Sequence, residues 1–342
     1  MTATAPLASS PSAPTAHLLE VEDLHVEFRT RRSTVNAVNG VSYTLDERET
    51  LAILGESGSG KSVSAQAVMG IIDSPPGFIT KGSIRYRGTE LLTLPEKDRE
   101  RVRGAKIAMI FQDALSALNP VFRVGWQLAE MYRVHTGTSK SEAREKAIEL
   151  MERVRIPSAR ERVDSYPHEF SGGMRQRVMI AMALALDPDI IIADEPTTAL
   201  DVTVQAQIMQ LLKDLQDESG MGLILITHDL GVVADVADRL AVMYAGKIVE
   251  TAEVHELYRR PAHPYTKGLM ASIPRTDQKG TRLSPIKGSP PNLSAIPSGC
   301  SFHPRCSYRR DNCSTDVPPL YPVSAGRASA CHYWEEVMAD GR

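Results

Sequence analysis

The sequence predicts an α/β fold built around a phosphate-binding turn, and three observations carry that prediction. Short apolar runs recur between segments of helical periodicity, one of these runs stops at a glycine-rich turn that opens a helix, and the chain changes character twice afterwards. Strands too short to be helices, alternating with amphipathic helices, are the pattern of an α/β core.

In chain order, residues 1–17 come first, rich in Ala, Ser, Pro and Thr. They lack the basic start and apolar centre of a signal peptide, so a disordered cytoplasmic tail is expected. Residues 18–28 partly alternate (Leu19, Val21, Leu24, Val26, Phe28), as a half-exposed strand does. The run 50–54 reads as a buried strand, the turn follows, and 61–69 reads as a helix. Further buried strands are expected at 106–111, 190–193, 223–227 and 240–244. Strand-like runs are absent from about 113 to 170, where 139–155 is charged and helical in period, so a helical subdomain is placed there. After Arg259 prolines thicken (Pro261, Pro264, Pro274, Pro285, Pro290, Pro291, Pro297), which excludes long helices. A loop-rich module wrapped on the core, or hung from it, is expected over 269–342.

Composition narrows the function. The 342 residues carry 39 Lys plus Arg against 42 Asp plus Glu, a net charge of -3, so no global basic field draws nucleic acid. The longest apolar stretch, 179–186, falls short of the ~20 residues that span a bilayer, so this sequence can touch a membrane protein without crossing the membrane.

Gly55, Glu56, Ser57, Gly58, Ser59, Gly60, Lys61 and Ser62 form a full G-x-x-x-x-G-K-[ST] loop between a strand and a helix. Glycines let successive N–H groups face phosphates, the helix start adds partial positive charge, Lys61 bridges the β and γ phosphates of ATP, and Ser62 binds Mg²⁺. A second apolar strand ends in Asp194 and Glu195. Asp194 is expected to hold Mg²⁺ through water and Glu195 to polarise the attacking water, since phosphoryl transfer asks for positioning and charge rather than covalent help. Ser171, Gly172 and Gly173 open an apolar helix and make another anion-binding helix start.

The order of these motifs, with Gln112 after an apolar strand, Ala199-Leu200-Asp201 after the carboxylates and Thr227-His228-Asp229 after another strand, resembles the ATP-binding cassette (ABC) family over 18–268. The resemblance implies a RecA-like core with an antiparallel β subdomain and a helical subdomain. It also implies that Gln112 senses Mg²⁺ and the transmembrane partner, that His228 contacts the γ-phosphate, that Val63 adjoins the nucleotide, that Phe28 stacks on adenine and that Asp201 belongs to a loop crossing a dimer interface. Two cassettes of this family pack head to tail, each Ser-Gly-Gly helix facing the other's phosphate loop. The signature departs from Leu-Ser-Gly-Gly-Gln at Phe170 and Met174, while the phosphate-facing residues stay.

The stretch 111–120, the signature helix, His263-Pro264-Tyr265-Thr266, Gly288-Ser289-Pro290-Pro291 and Pro304-Arg305-Cys306 are similar to the ATPases of dipeptide and oligopeptide importers, within a branch that also imports nickel complexes. Implied partners are two permease subunits, an extracytoplasmic peptide-binding protein and a second, different ATPase, with the chain peripheral at the cytoplasmic face of the membrane. A soluble cassette acting on nucleic acid or ribosomes would carry a coiled-coil insertion or a second cassette, and a small-molecule phosphate-loop kinase would use no Ser-Gly-Gly helix.

Cysteine is absent from the first 299 residues and then appears as Cys300, Cys306, Cys313 and Cys331. Four thiols in a proline-rich segment too loop-like to build its own core suggest a metal that supplies folding energy. Gaps of five, six and seventeen residues suit a [4Fe-4S] cluster better than the close pairs of Zn²⁺ modules, with His303 and His332 as neighbouring candidate ligands.

Overall fold

The main sheet grows outward from the strand at residues 50–54. In this computed structural model, which describes residues 17–31, 33–113, 117–198, 200–272 and 286–340, that strand is β3 (Thr50–Leu54), buried along its whole length. The expected tail at 1–16, Ala199 of the Ala-Leu-Asp run, and 273–285 with Pro274 and Pro285 lie outside the described residues. β3 pairs in parallel with β8 (Gly222–Thr227) and β9 (Arg239–Tyr244). β7 (Ile190–Asp194) and β6 (Ile107–Ile110) continue the parallel order beyond β8. The central strands are apolar on both faces because both faces are covered. Leu51 and Ile53 point into one core and Ala52 and Leu54 into the other, the period-two consequence of the pleat.

The first of these cores is roofed by a four-stranded antiparallel sheet, ordered β2-β1-β4-β5, of β1 (Leu19–Arg29), β2 (Thr34–Leu45), β4 (Gly77–Tyr86) and β5 (Thr89–Glu90). The second core holds the helix Gly172–Leu184 and the helical subdomain. In that subdomain the helices Val124–Thr136, Lys140–Arg153 and Ala159–Arg162 follow one another. Ser139 starts the middle helix by accepting the Glu142 N–H at 3.3 Å, which satisfies a donor the helix cannot. At the start of the first helix lies an apolar patch of Val121, Phe122 and Trp126, with the two rings stacked 4.4 Å apart.

The C-terminal segment is more ordered than the proline count suggests. β10 (Lys247–Glu253) pairs antiparallel with β9, and a late hairpin of β11 (Tyr321–Ser324) and β12 (Arg327–Ser329) adds two strands beyond it, so the main sheet reads β11-β12-β10-β9-β3-β8-β7-β6. Pro322 is tolerated because it sits on the outermost strand. The module is therefore wrapped on the core rather than hung from it. Its anchor is a buried ion pair: Glu250, wholly enclosed, accepts the N–H groups of Ala262 at 2.7 Å and His263 at 3.0 Å and pairs with Arg327 at 3.2 Å. Among the described residues no helix is long and apolar enough to cross a membrane.

Candidate nucleotide site

β3 delivers the phosphate loop at its C-terminal end, where ligands of open α/β sheets gather. Gly60 caps the helix Lys61–Met69 with φ 100°, and a Cβ there would stand 2.3 Å from the Ala37 carbonyl oxygen, so only glycine fits. Ser59 is buried, and its Oγ has no hydrogen-bond partner within the protein. An orphaned hydroxyl in such a loop is what a phosphate oxygen satisfies. Lys61, 5% exposed, bonds the Gly55 carbonyl at 2.8 Å and the Glu56 carbonyl at 3.1 Å. Burial pulls its ammonium below the usual lysine range, and the carboxylates of Glu195, Asp194 and Glu56 oppose that. Ser57 and Gly58 form the exposed lip, and Val63, half-buried, packs on the core beneath the antiparallel sheet.

The end of β7, one strand beyond β8, brings both acids. Ser62 Oγ donates to Asp194 Oδ1 at 3.0 Å, so the hydroxyl and carboxylate expected on Mg²⁺ already touch. Burial raises the Asp194 carboxyl and the Glu195 charge adds to it, while Ser62 and Lys61 pull the other way, a balance that a divalent cation would tip towards the ionised form. Glu195 turns off the end of β7 at φ 47°, a left-handed conformation that costs a non-glycine residue energy and recurs at functional sites. Its N–H to the Ile226 carbonyl, 2.8 Å, holds the turn. Three side chains converge on its carboxylate: Gln112 Nε2 at 2.8 Å, Thr198 Oγ1 at 2.9 Å and His228 Nδ1 at 3.3 Å. The chain thus gathers the phosphate loop, a metal-type pair, a carboxylate, the Gln112 amide and an exposed imidazole from four separate segments.

The remaining candidates sit elsewhere. Ser171 caps the helix Gly172–Leu184 by accepting the Met174 N–H at 3.3 Å, and Asp201 caps the helix Val202–Ser219 by accepting the Val204 N–H at 3.0 Å. These two helix starts are adjacent, since a Cβ on Gly173 would meet Val204 at 2.7 Å, and both capping residues are exposed. Phe28 is half-buried near Gly77 and packs on the core under the antiparallel sheet. Thr198 escaped the sequence reading, although it lies three residues after Glu195, one step around the turn.

Comparison with known proteins places this architecture. The family described as ABC transporter matches residues 38–198, and the one described as oligopeptide/dipeptide transporter, C-terminal region, matches 249–313. The oligopeptide transport ATP-binding protein OppD of Bacillus subtilis (strain 168) is 53% identical over 308 residues, 90% of this chain and 86% of that protein. A Brucella abortus (strain 2308) protein named for peptide import ATP binding is 50% identical over 333 residues, 94% of this chain and 98% of the relative. The chain belongs to the ABC transporter family. Among solved structures, the dimeric ABC transporter cassette MJ0796 in a post-hydrolysis state with ADP and Pi superposes with TM-score 0.62 at 27% identity, over 69% of this ABC ATPase and 98% of that cassette. The cbiO1 protein of Clostridium perfringens, part of the ABC transporter complex cbiONQ, gives 0.61 at 28% identity, over 71% of this chain and 90% of its own.

The ABC ATPase carries its four cysteines around one small cavity, together with His263, Phe302, His303 and His332. Burial is the main cause that pushes the Cys306 thiol up to about 11 and Cys331 up to about 12, and the neighbouring thiols add to it. The expected metal centre is not seen: among the described residues no group of three or more His, Cys, Asp or Glu side chains could hold a metal ion.

Proposed function

We propose that this ABC ATPase powers uptake of dipeptides and oligopeptides, closing on ATP with a second, related ATPase beneath two permease subunits that receive peptide from an extracytoplasmic binding protein. The cargo reading rests on the C-terminal region matched at 249–313 and on relatives named for peptide import. Within the site, residues 55–63 cradle the phosphates and Phe28 is offered to adenine. Lys61 neutralises β and γ oxygens, and Ser62, Asp194 and Gln112 hold Mg²⁺ directly or through water. Glu195 orients the attacking water and His228 meets the γ-phosphate. Ser171, Gly172, Gly173 and Asp201 serve the partner's nucleotide, a role supported by the exposure of Ser171, Gly172 and Asp201 at adjacent helix starts. The convergence of Gln112, Thr198 and His228 on the Glu195 carboxylate carries the hydrolytic reading.

Permease docking is assigned to the face between Gln112 and Ser171. Phe122 and Trp126 are each at least 40% exposed there and Val121 is 70% exposed, an apolar surface suited to a short helix of a membrane partner. Such docking would keep the chain at the cytoplasmic face of the membrane. Proteoliposomes holding this chain, its partner ATPase and the permeases should hydrolyse ATP faster when binding protein loaded with peptide is added. A rate indifferent to loaded binding protein would refute the reading.

We infer further that Cys300, Cys306, Cys313 and Cys331 hold a [4Fe-4S] cluster, with Zn²⁺ as the rival occupant. Support comes from the shared cavity and from the chemistry of the donors: burial makes the Cys300, Cys306 and Cys331 thiols costly to ionise, a cost that a bound cation would offset. A bound cluster would tie four loop segments together through thiolate ligands. Anaerobically purified protein with about four irons and broad absorbance near ~400 nm, lost on Cys306→Ser, is expected. Colourless protein with one zinc and no iron would overturn the assignment.

A further inference from the structure

The phosphate loop is held from the far end of the chain. Glu56 donates its backbone N–H to the Tyr265 hydroxyl at 2.8 Å. Its carboxylate takes two bonds from Arg305, Nη1 to Oε2 at 2.6 Å and Nη2 to Oε1 at 3.0 Å. A two-pronged pair of this kind fixes orientation as well as distance. The Arg305 side chain is only 5% exposed, so solvent and salt screen the pair weakly.

Arg305 is itself over-determined. Its Nε donates to the Lys287 carbonyl at 3.1 Å and its Nη2 to the Gly288 carbonyl at 3.3 Å, while the guanidinium lies against the rings of Tyr244 and Phe302. It ends the single turn His303–Arg305, directly before Cys306. Glu56 passes that constraint on, because its carbonyl accepts Lys61 Nζ at 3.1 Å and the Ser59 N–H at 3.2 Å. Moving Glu56 moves the seat of the ammonium and the turn that presents the orphaned Ser59 hydroxyl. An unpaired carboxylate in a phosphate loop would also repel ATP, and the guanidinium cancels that charge.

We propose that Arg305 is a positioning residue for ATP, which sets the shape and charge of the phosphate loop by gripping Glu56. It acts through Glu56 rather than through the phosphates. Because the loop meets the same phosphates in the ground and transition states, the loss should fall on binding rather than on turnover.

A double-mutant cycle on the full-length chain, read as Mg-ATP and Mg-ADP affinity by titration calorimetry, tests this without permeases or peptide and so stands apart from the cargo reading. Arg305→Ala should weaken both nucleotides about tenfold, with kcat at saturating ATP changed less than about twofold. In the Glu56→Gln background the same change should cost less than about twofold, since residues that act through one contact are not additive. Arg305→Lys, which keeps the charge but loses the fork, should fall between the two. If Arg305→Ala fails to fold, Arg305→Lys closes the cycle with Glu56→Gln. Equal losses in both backgrounds would assign Arg305 to packing of the tail, and unchanged affinity in the single variant would remove it from the site; either result overturns the proposal.

Discussion

In the proposed reaction Lys61 and Glu195 meet the nucleotide's charge at different moments, and their substitutions should separate accordingly. Lys61 is assigned to the bound phosphates, so Lys61→Ala should weaken ATP binding roughly 10- to 100-fold, the worth of one charge-assisted bond, as measured by equilibrium titration. Glu195 is assigned to the water, so Glu195→Gln should bind ATP at nearly parental affinity while hydrolysis falls about 10²- to 10⁴-fold in a phosphate-release assay. A third residue makes a prediction about pH. His263 is enclosed, accepts the Tyr265 N–H at 3.1 Å, and is pushed down to about 3 by burial. A folded-state value below the unfolded one means that the unfolded chain binds the extra proton. Stability should therefore be complete above about pH 6.5 and fall as pH drops towards 3, by about 2 kcal/mol from this group between pH 7 and pH 5. His263→Gln should flatten that part of the denaturant-midpoint profile against pH. The motif residues were legible because their chemistry demands particular residue types at fixed spacing. Thr198 was not, because a hydroxyl that touches the site only through folding leaves no local pattern, and the motifs holding Tyr265 and Arg305 gave no sign that these side chains reach the phosphate loop.

At the scale of elements, the β10–β12 pairing is tied by a buried ion pair as well as by its backbone bonds. Removing Arg327 would leave Glu250 charged and enclosed with only two backbone donors, so Arg327→Ala should cost about 3–5 kcal/mol, seen as a lower urea midpoint for the tail's unfolding. The central strands were readable from their unbroken apolar runs, which need no help from neighbours to be recognised. β2 and β4 were not. β2 carries Asn36, Asn39 and Gly40 within its length, and β4 has Gly82 mid-strand at φ 117°, where a Cβ would stand 2.7 Å from Leu24 Cα. Residues that signal turns sit there because each strand approaches β1 closely, at Gly40 against Asp23 and at Gly82 against Leu24, a tertiary demand that overrides strand propensity. The late hairpin was hidden for a related reason, since an outermost strand tolerates proline and shows little alternation.

Over the whole molecule, the phosphate loop and the Ser171 helix start serve different nucleotides in the proposed head-to-tail pair. Ser171→Arg should leave Mg-ATP binding to this chain's own loop within about twofold while abolishing closure, read as loss of ATP-dependent dimer on size-exclusion chromatography. Loss of binding in the isolated chain would place Ser171 on its own nucleotide. The ion pair between Glu56 and Arg305 joins positions 249 residues apart. A ribosome adding about 5–20 residues per second needs roughly 12–50 s to pass from one to the other. Through that interval the nascent chain carries a finished phosphate motif whose clamp has not yet been translated, so a product broken off early inherits the loop without its grip.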